Sequence, residues 1–100
     1  MSEGLEVTVE RRPDLHRYEA WVDGALAGFA EYRMLGSDTY VFTHTEVDDA
    51  FEGHGVAGKL IRSALDDVRA RNGSVVARCP FVAAYVREHP AYADLLTNPD

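Results

Sequence analysis

The stretch from Val47 to Gly58 does most to limit what this chain can fold into. It holds three of the eight glycines, Gly53, Gly55 and Gly58. An alternating apolar segment, Thr39 to Val47, precedes it, and a long amphipathic segment follows it directly. Glycine permits positive φ and close approach of a ligand to the backbone. The first N–H groups of a helix have no intrahelical partner, and the helix dipole adds partial positive charge there. Strand, glycine loop and helix start together make an anion site, with phosphate as the natural ligand. The plainer alternative is a helix start that needs small residues for packing. Three glycines within six residues cost more backbone entropy than a cap requires.

Two common phosphate loops do not fit. A P-loop has Lys then Ser or Thr after its second glycine, whereas Lys59 is followed by Leu60. Gly53, Gly55 and Gly58 match the G-x-G-x-x-G spacing of dinucleotide folds, but they lie in mid-chain. The acidic residue expected about 20 positions later is missing, because Asn72 to Val76 contain none.

Around the loop, period-two patterns predict four strands: Leu5 to Arg12, His16 to Asp23, Leu26 to Met34 and Thr39 to Val47. Asp23-Gly24 is a tight-turn signal, and Gly28 points to a bulge or a close contact. Alternation places Tyr40, Phe42, His44 and Glu46 on one face of the fourth strand. A helix is expected from Val56 to Arg71, since Ala57, Leu60, Ile61, Ala64, Leu65 and Val68 form one stripe. Asn72-Gly73 stops it. A short strand, Ser74 to Arg78, then runs parallel to the fourth, because a helical crossover separates them. A second helix spans Pro80 to Glu88, and Ala91 to Leu96 add one more turn. Asn98-Pro99-Asp100 should fray. The expectation is an α+β fold with a mixed sheet: four antiparallel strands, a helix, a parallel fifth strand and a second helix, as one domain over residues 1–100.

Composition sets the surroundings. With 46% hydrophobic and 27% charged residues the chain is that of an ordinary globular protein. No apolar run is long enough for a membrane span, and the first residues lack the basic and apolar regions of a signal peptide. The single cysteine, Cys79, forms no internal disulfide, so a reducing cytoplasm is expected. No cysteine cluster is available for a structural metal. A net charge of -7 and no basic face argue against nucleic acid, and weakly favour a cationic partner such as an amine.

Several residues have the chemistry for catalysis. Cys79 ends a strand at a helix start, a place that favours the thiolate, so it is a candidate to carry an acyl group. It serves equally as a small buried hydrophobe. His44 and Glu46 are candidates for a general base, although His44 also reads as a hydrogen-bonded core histidine. His89 and Tyr92 read mainly as structural.

The order of elements resembles the GNAT superfamily of acetyl-CoA-dependent N-acetyltransferases. Its motif, Gln/Arg-x-x-Gly-x-Gly/Ala, is matched by Glu52-Gly53-His54-Gly55-Val56-Ala57. Glu52 departs from it, since a carboxylate repels a phosphate. The chain is most similar to a small single-domain subgroup, through His44-Thr45-Glu46-Val47, Glu52-Gly53-x-Gly55-x-Ala57, Cys79-Pro80-Phe81 and His89-Pro90-x-Tyr92. The resemblance implies acetyl-CoA as cosubstrate, without a metal. It implies a CoA site at Val47 and at Gly53, His54, Gly55, Val56, Ala57 and Gly58. It also implies a bulge in the fourth strand that aims an N–H at the thioester, and a proton from Tyr85 to the departing thiolate. Arg12 to His16 is too short for the helices that larger members place there. An open acceptor site is therefore expected, suited to an amine on a protein or peptide. A CoA-binding or regulatory module without turnover is the alternative, and a plain interaction domain with a vestigial loop is a third reading.

Overall fold

A computed structural model describes residues 6–97. Leu5 and the segment 98–100 lie outside these residues. The elements are β1 (Thr8–Arg12), β2 (Arg17–Val22), β3 (Ala25–Leu35), β4 (Thr39–Val47), α1 (Val56–Ala70), β5 (Ser74–Ala77) and α2 (Pro80–Glu88), with short 3₁₀ turns at Pro13–Leu15, Asp49–Phe51 and Pro90–Leu95. The strands form one sheet in the order β1-β2-β3-β4-β5. β1 to β4 pair antiparallel, and β5 lies parallel to β4.

Local chemistry explains the connections. Asp23 (φ 50°) and Gly24 (φ 81°) both have positive φ, as the tight hairpin between β2 and β3 requires. Asn72 takes the left-handed conformation that ends α1. Gly28 lies against β4: a Cβ there would sit 2.6 Å from the Glu46 carbonyl oxygen and 3.2 Å from Val47 Cα. Four residues, the turn Pro13–Leu15 and His16, are all that join β1 to β2.

Val56, Leu60, Ile61, Ala64, Leu65 and Val68 of α1 are all buried. They pack in one cluster with Tyr18, Tyr32, Tyr40 and Phe42 of the sheet. A polar tether fixes the helix on that face. The Tyr18 hydroxyl donates to the Asp67 carboxylate at 2.7 Å, and Arg71 Nε donates to the same oxygen at 2.9 Å. Burial, and then this hydrogen bond, push the Tyr18 phenol well above its ordinary range.

The expected alternation of β4 does not hold along its whole length. Glu31 pairs with His44 and Tyr32 with Phe42, so Thr43 is an extra residue. Such a bulge resets the face of every side chain beyond it. Tyr40 and Phe42 are buried against α1. Beyond the bulge Val47 turns to the helix side and packs on the core, while His44 and Glu46 are exposed. The four residues therefore do not share a face. The face away from α1 also carries Glu19 and Phe29, which lie opposite one another in the register. Glu19 is only 1% exposed, held by Arg17 Nε at 2.8 Å and Trp21 Nε1 at 3.2 Å.

Candidate active site

β4 outruns its neighbour. β5 pairs with Thr39 to Phe42 only. The N–H groups of Arg78 and Cys79 both donate to the Phe42 carbonyl, at 3.1 and 2.9 Å, and there the strands fork. From Thr43 to Val47, β4 has β3 on one edge and no strand on the other among the described residues. An open strand edge presents backbone donors and acceptors to any extended ligand.

Beyond Val47 the chain turns through Asp49–Phe51, where the Asp48 carboxylate accepts from Ala50 N–H at 2.9 Å. Gly53 (φ 84°) and Gly55 (φ 76°) then take conformations that side chains disfavour. Gly55 is the N-cap of α1 and supplies no side-chain cap, and the first turn holds no acid. The first helical bond is Lys59 N–H to the Gly55 carbonyl, at 3.1 Å. The earlier N–H groups of Val56, Ala57 and Gly58 therefore point out of the helix end uncapped.

These parts enclose a groove of about 390 Å³. Thr45 and Val47 form one wall, Gly53, Gly55 and the first turn of α1 form the end, and Phe81 stands opposite. Phe81 is an apolar ring left 44% exposed. Glu52 lines the groove as well, placing a carboxylate near the uncapped amides. The His54 side chain is exposed and is not part of the lining. Uncapped amides, positive-φ glycines and an open strand edge fit a ligand with an anionic group at one end and amide groups along its length.

Cys79 sits where the fork begins. It is buried, it is the N-cap residue of α2, and its side chain caps no helix N–H. Its Sγ lies 3.3 Å from Thr45 Oγ1. His44 Nε2 lies 3.1 Å from Glu46 Oε2 on the face away from α1. An ionised carboxylate only accepts, so Nε2 donates to it, and in the neutral ring Nδ1 is then the acceptor. Tyr85 lines an adjoining hollow of about 270 Å³, with Gly55, Gly58, Lys59, Arg62 and His89. Its ring stacks on His89 at 3.9 Å. Burial pushes its phenol up. Tyr92 donates to Asp66 at 2.7 Å, and that hydrogen bond comes first among the causes that push its phenol up to about 12.

The structure thus joins Val47, Gly53, Gly55, Val56, Ala57 and Gly58 in one groove. It sets Cys79 at the fork, His44 and Glu46 on the other face, and Tyr85 next door. Thr45, Phe51 and Phe81 line the groove without having been singled out as ligand-binding residues. For Phe81 the signal was available, an aromatic beside Cys79-Pro80; for Thr45 it was not, because the bulge hides its face. Among the described residues, no cluster of three or more His, Cys, Asp or Glu could hold a metal. No helix among them is long and apolar enough to cross a membrane.

Comparison with known proteins agrees with this geometry. Residues 17–95 match the family model of the GCN5-related N-acetyltransferases. Protein NATD1 of Xenopus tropicalis is 37% identical over 59 residues, which are 59% of this chain and 54% of that protein. Protein NATD1 of Danio rerio is 31% identical over 69 residues, 67% of this chain and 63% of that protein. The chain spans about half the length of most of the curated relatives it matches. Its fold is similar to the solution structure of a GCN5-like protein from Staphylococcus aureus, with TM-score 0.67, 20% identity, and coverage of 99% of this chain and 94% of that one. It is also similar to the ribosomal-protein-alanine N-acetyltransferase of Brucella melitensis, with TM-score 0.61, 19% identity, and coverage of 98% and 94%. By the match over residues 17–95, this chain belongs to the GCN5-related N-acetyltransferase family.

Proposed function

We propose that the chain transfers an acetyl group from acetyl-CoA to an amine on a protein or peptide. The observation that carries this reading is the groove itself, with the uncapped, glycine-lined start of α1 at one end and the open edge of β4 along its side. The N–H groups of Val56, Ala57 and Gly58 suit the pyrophosphate. The edge from Thr43 to Val47 suits the amides of the pantetheine arm, which pair as an added strand does. The thioester then lies toward the fork, by Thr45 and Cys79.

The amine approaches from the face away from α1. Its nitrogen attacks the thioester carbonyl, the C–N bond forms, and the C–S bond breaks as the sulfur leaves with its electron pair. His44 Nδ1 takes the proton that the amine loses, while Glu46 holds the ring. Tyr85, whose phenol burial pushes up, is the nearby donor for the departing thiolate. The four-residue link between β1 and β2 leaves the acceptor face open, which suits a peptide better than an enclosed small molecule. The Brucella protein, whose name gives a ribosomal-protein alanine as its acceptor, supports an acceptor of that kind. A reducing compartment such as the cytoplasm suits the free Cys79.

Release of free thiol from acetyl-CoA, with peptides bearing free amines, tests the reading. The expected result is peptide-dependent release that falls as pH is lowered and the amine becomes protonated. Binding of acetyl-CoA with no release across a broad panel would overturn it in favour of a binding module.

A further inference from the structure

A second hollow lies on the face of the sheet away from α1. It measures about 380 Å³ and is lined by Arg33, Met34, Leu35, Val41, Thr43 and Arg78. Its place follows from the register. Val41 pairs with Arg33 and alternates along β4 with the buried Tyr40 and Phe42, so it faces away from the core. Thr43 is the bulge residue and directly precedes His44. Arg78 directly precedes Cys79, and its N–H donates to the Phe42 carbonyl at the fork. The hollow therefore begins where the thioester and the His44–Glu46 pair are placed above.

Its charges stand out from the rest of the chain. The protein has 17 acidic residues against 10 Lys and Arg. Arg11, Arg12, Arg17, Arg69 and Arg71 each have a carboxylate within ion-pair distance. Arg33, Arg62, Arg78 and Arg87 have none among the described residues, and of these four Arg33 and Arg78 come together in this one hollow, beside the exposed Leu35. Two residues along β3 from Arg33, Glu31 pairs with His44, and Glu46 holds His44. The face is thus polar along the strand: carboxylates at the reactive end and guanidinium groups about 7 Å further on.

We infer that this hollow is the acceptor subsite for a carboxylate, and that the preferred acceptor is a peptide with an acidic side chain within two residues of its reactive amine. The inference rests on the acetyltransferase reading. A peptide amine arrives as a cation and is drawn to the Glu31 and Glu46 end. An Asp or Glu side chain one or two residues on reaches Arg33 and Arg78, whose planar forks match a carboxylate. Leu35 and Val41 take the apolar part of the same segment.

The test uses the full chain saturated with CoA, so that binding is read without turnover. Two peptides with free N-terminal amines, identical except for Asp or Asn at the third residue, are titrated calorimetrically. The Asp peptide should bind several-fold more tightly at low salt. The advantage should shrink as ionic strength rises. It should vanish in Arg33→Gln/Arg78→Gln, with circular dichroism confirming the fold. Arg33→Gln alone, at an exposed strand position, should lose a large part of it. Equal affinity for the two peptides, an Asp advantage that survives both substitutions, or no binding of either peptide would overturn the inference. Thiol release measured on a broader panel reports separately on the acetyltransferase reading: release with no Asp preference sinks only the carboxylate subsite.

Discussion

Cys79 as a residue is 3% exposed, and its sulfur meets Thr45 Oγ1 in the fork between β4 and β5. A covalent carrier must present its sulfur to the thioester and then to the amine. Near-complete burial suits a packing role better, and direct attack by the amine needs no cysteine. Cys79→Ala should therefore cost about 1 kcal/mol through a small cavity, read from the denaturation midpoint, and should leave the rate per folded molecule nearly unchanged. An acetyl adduct on Cys79 after incubation with acetyl-CoA alone, together with loss of turnover in Cys79→Ala, would show the covalent route instead. His44 is placed by its neighbour: its Nε2 lies 3.1 Å from Glu46 Oε2.

The pairing of β3 with β4 holds the strand that carries the site. Gly28 lies opposite Val47, with no room for a side chain between it and β4. In Gly28→Ala the added Cβ, 2.6 Å from the Glu46 carbonyl oxygen, would push the strands apart. The expected cost is about 1–3 kcal/mol. Because Val47 lines the groove, affinity for acetyl-CoA should fall as well, which titration of the purified variant would check. An unchanged midpoint and affinity would contradict the account of this contact. Gly28 could be read from the sequence because glycine inside a strand has few other reasons to be there. The same holds for the α1 stripe and for the turns at Asp23-Gly24 and Asn72-Gly73, where residue type and backbone conformation are tightly linked. The bulge at Thr43 could not be located in this way. Threonine is an ordinary strand residue, and nothing in its neighbours marks an extra position. That one residue decides that His44 and Glu46 face away from the groove while Val47 faces into it.

Across the described residues one sheet separates two surfaces of different make-up. The α1 side holds the core and the groove. The other side, beside the four-residue link from β1 to β2, carries His44, Glu46, Arg33 and Arg78. The fork joins them. The glycine loop and the order of elements were legible in the sequence because each depends on local pattern. The division of the catalytic candidates between two faces was not, because it depends on register across three strands. The central claim is that the bare start of α1 holds the cofactor, and a thermal titration with acetyl-CoA tests it most directly. A ligand at a hundredfold excess over its Kd stabilises the native state by about 2.7 kcal/mol, worth about 4–8 °C per kcal/mol in a domain of this size. Gly55→Asp is the control. A Cβ fits at Gly55 with nothing within 4 Å, and aspartate tolerates positive φ at a cost of about 1 kcal/mol. Its carboxylate would then occupy or repel at the amides meant for phosphate. The account predicts a saturable rise in melting temperature for the wild type and none for a folded Gly55→Asp. No rise in the wild type at millimolar acetyl-CoA, or an equal rise in both proteins, would contradict it.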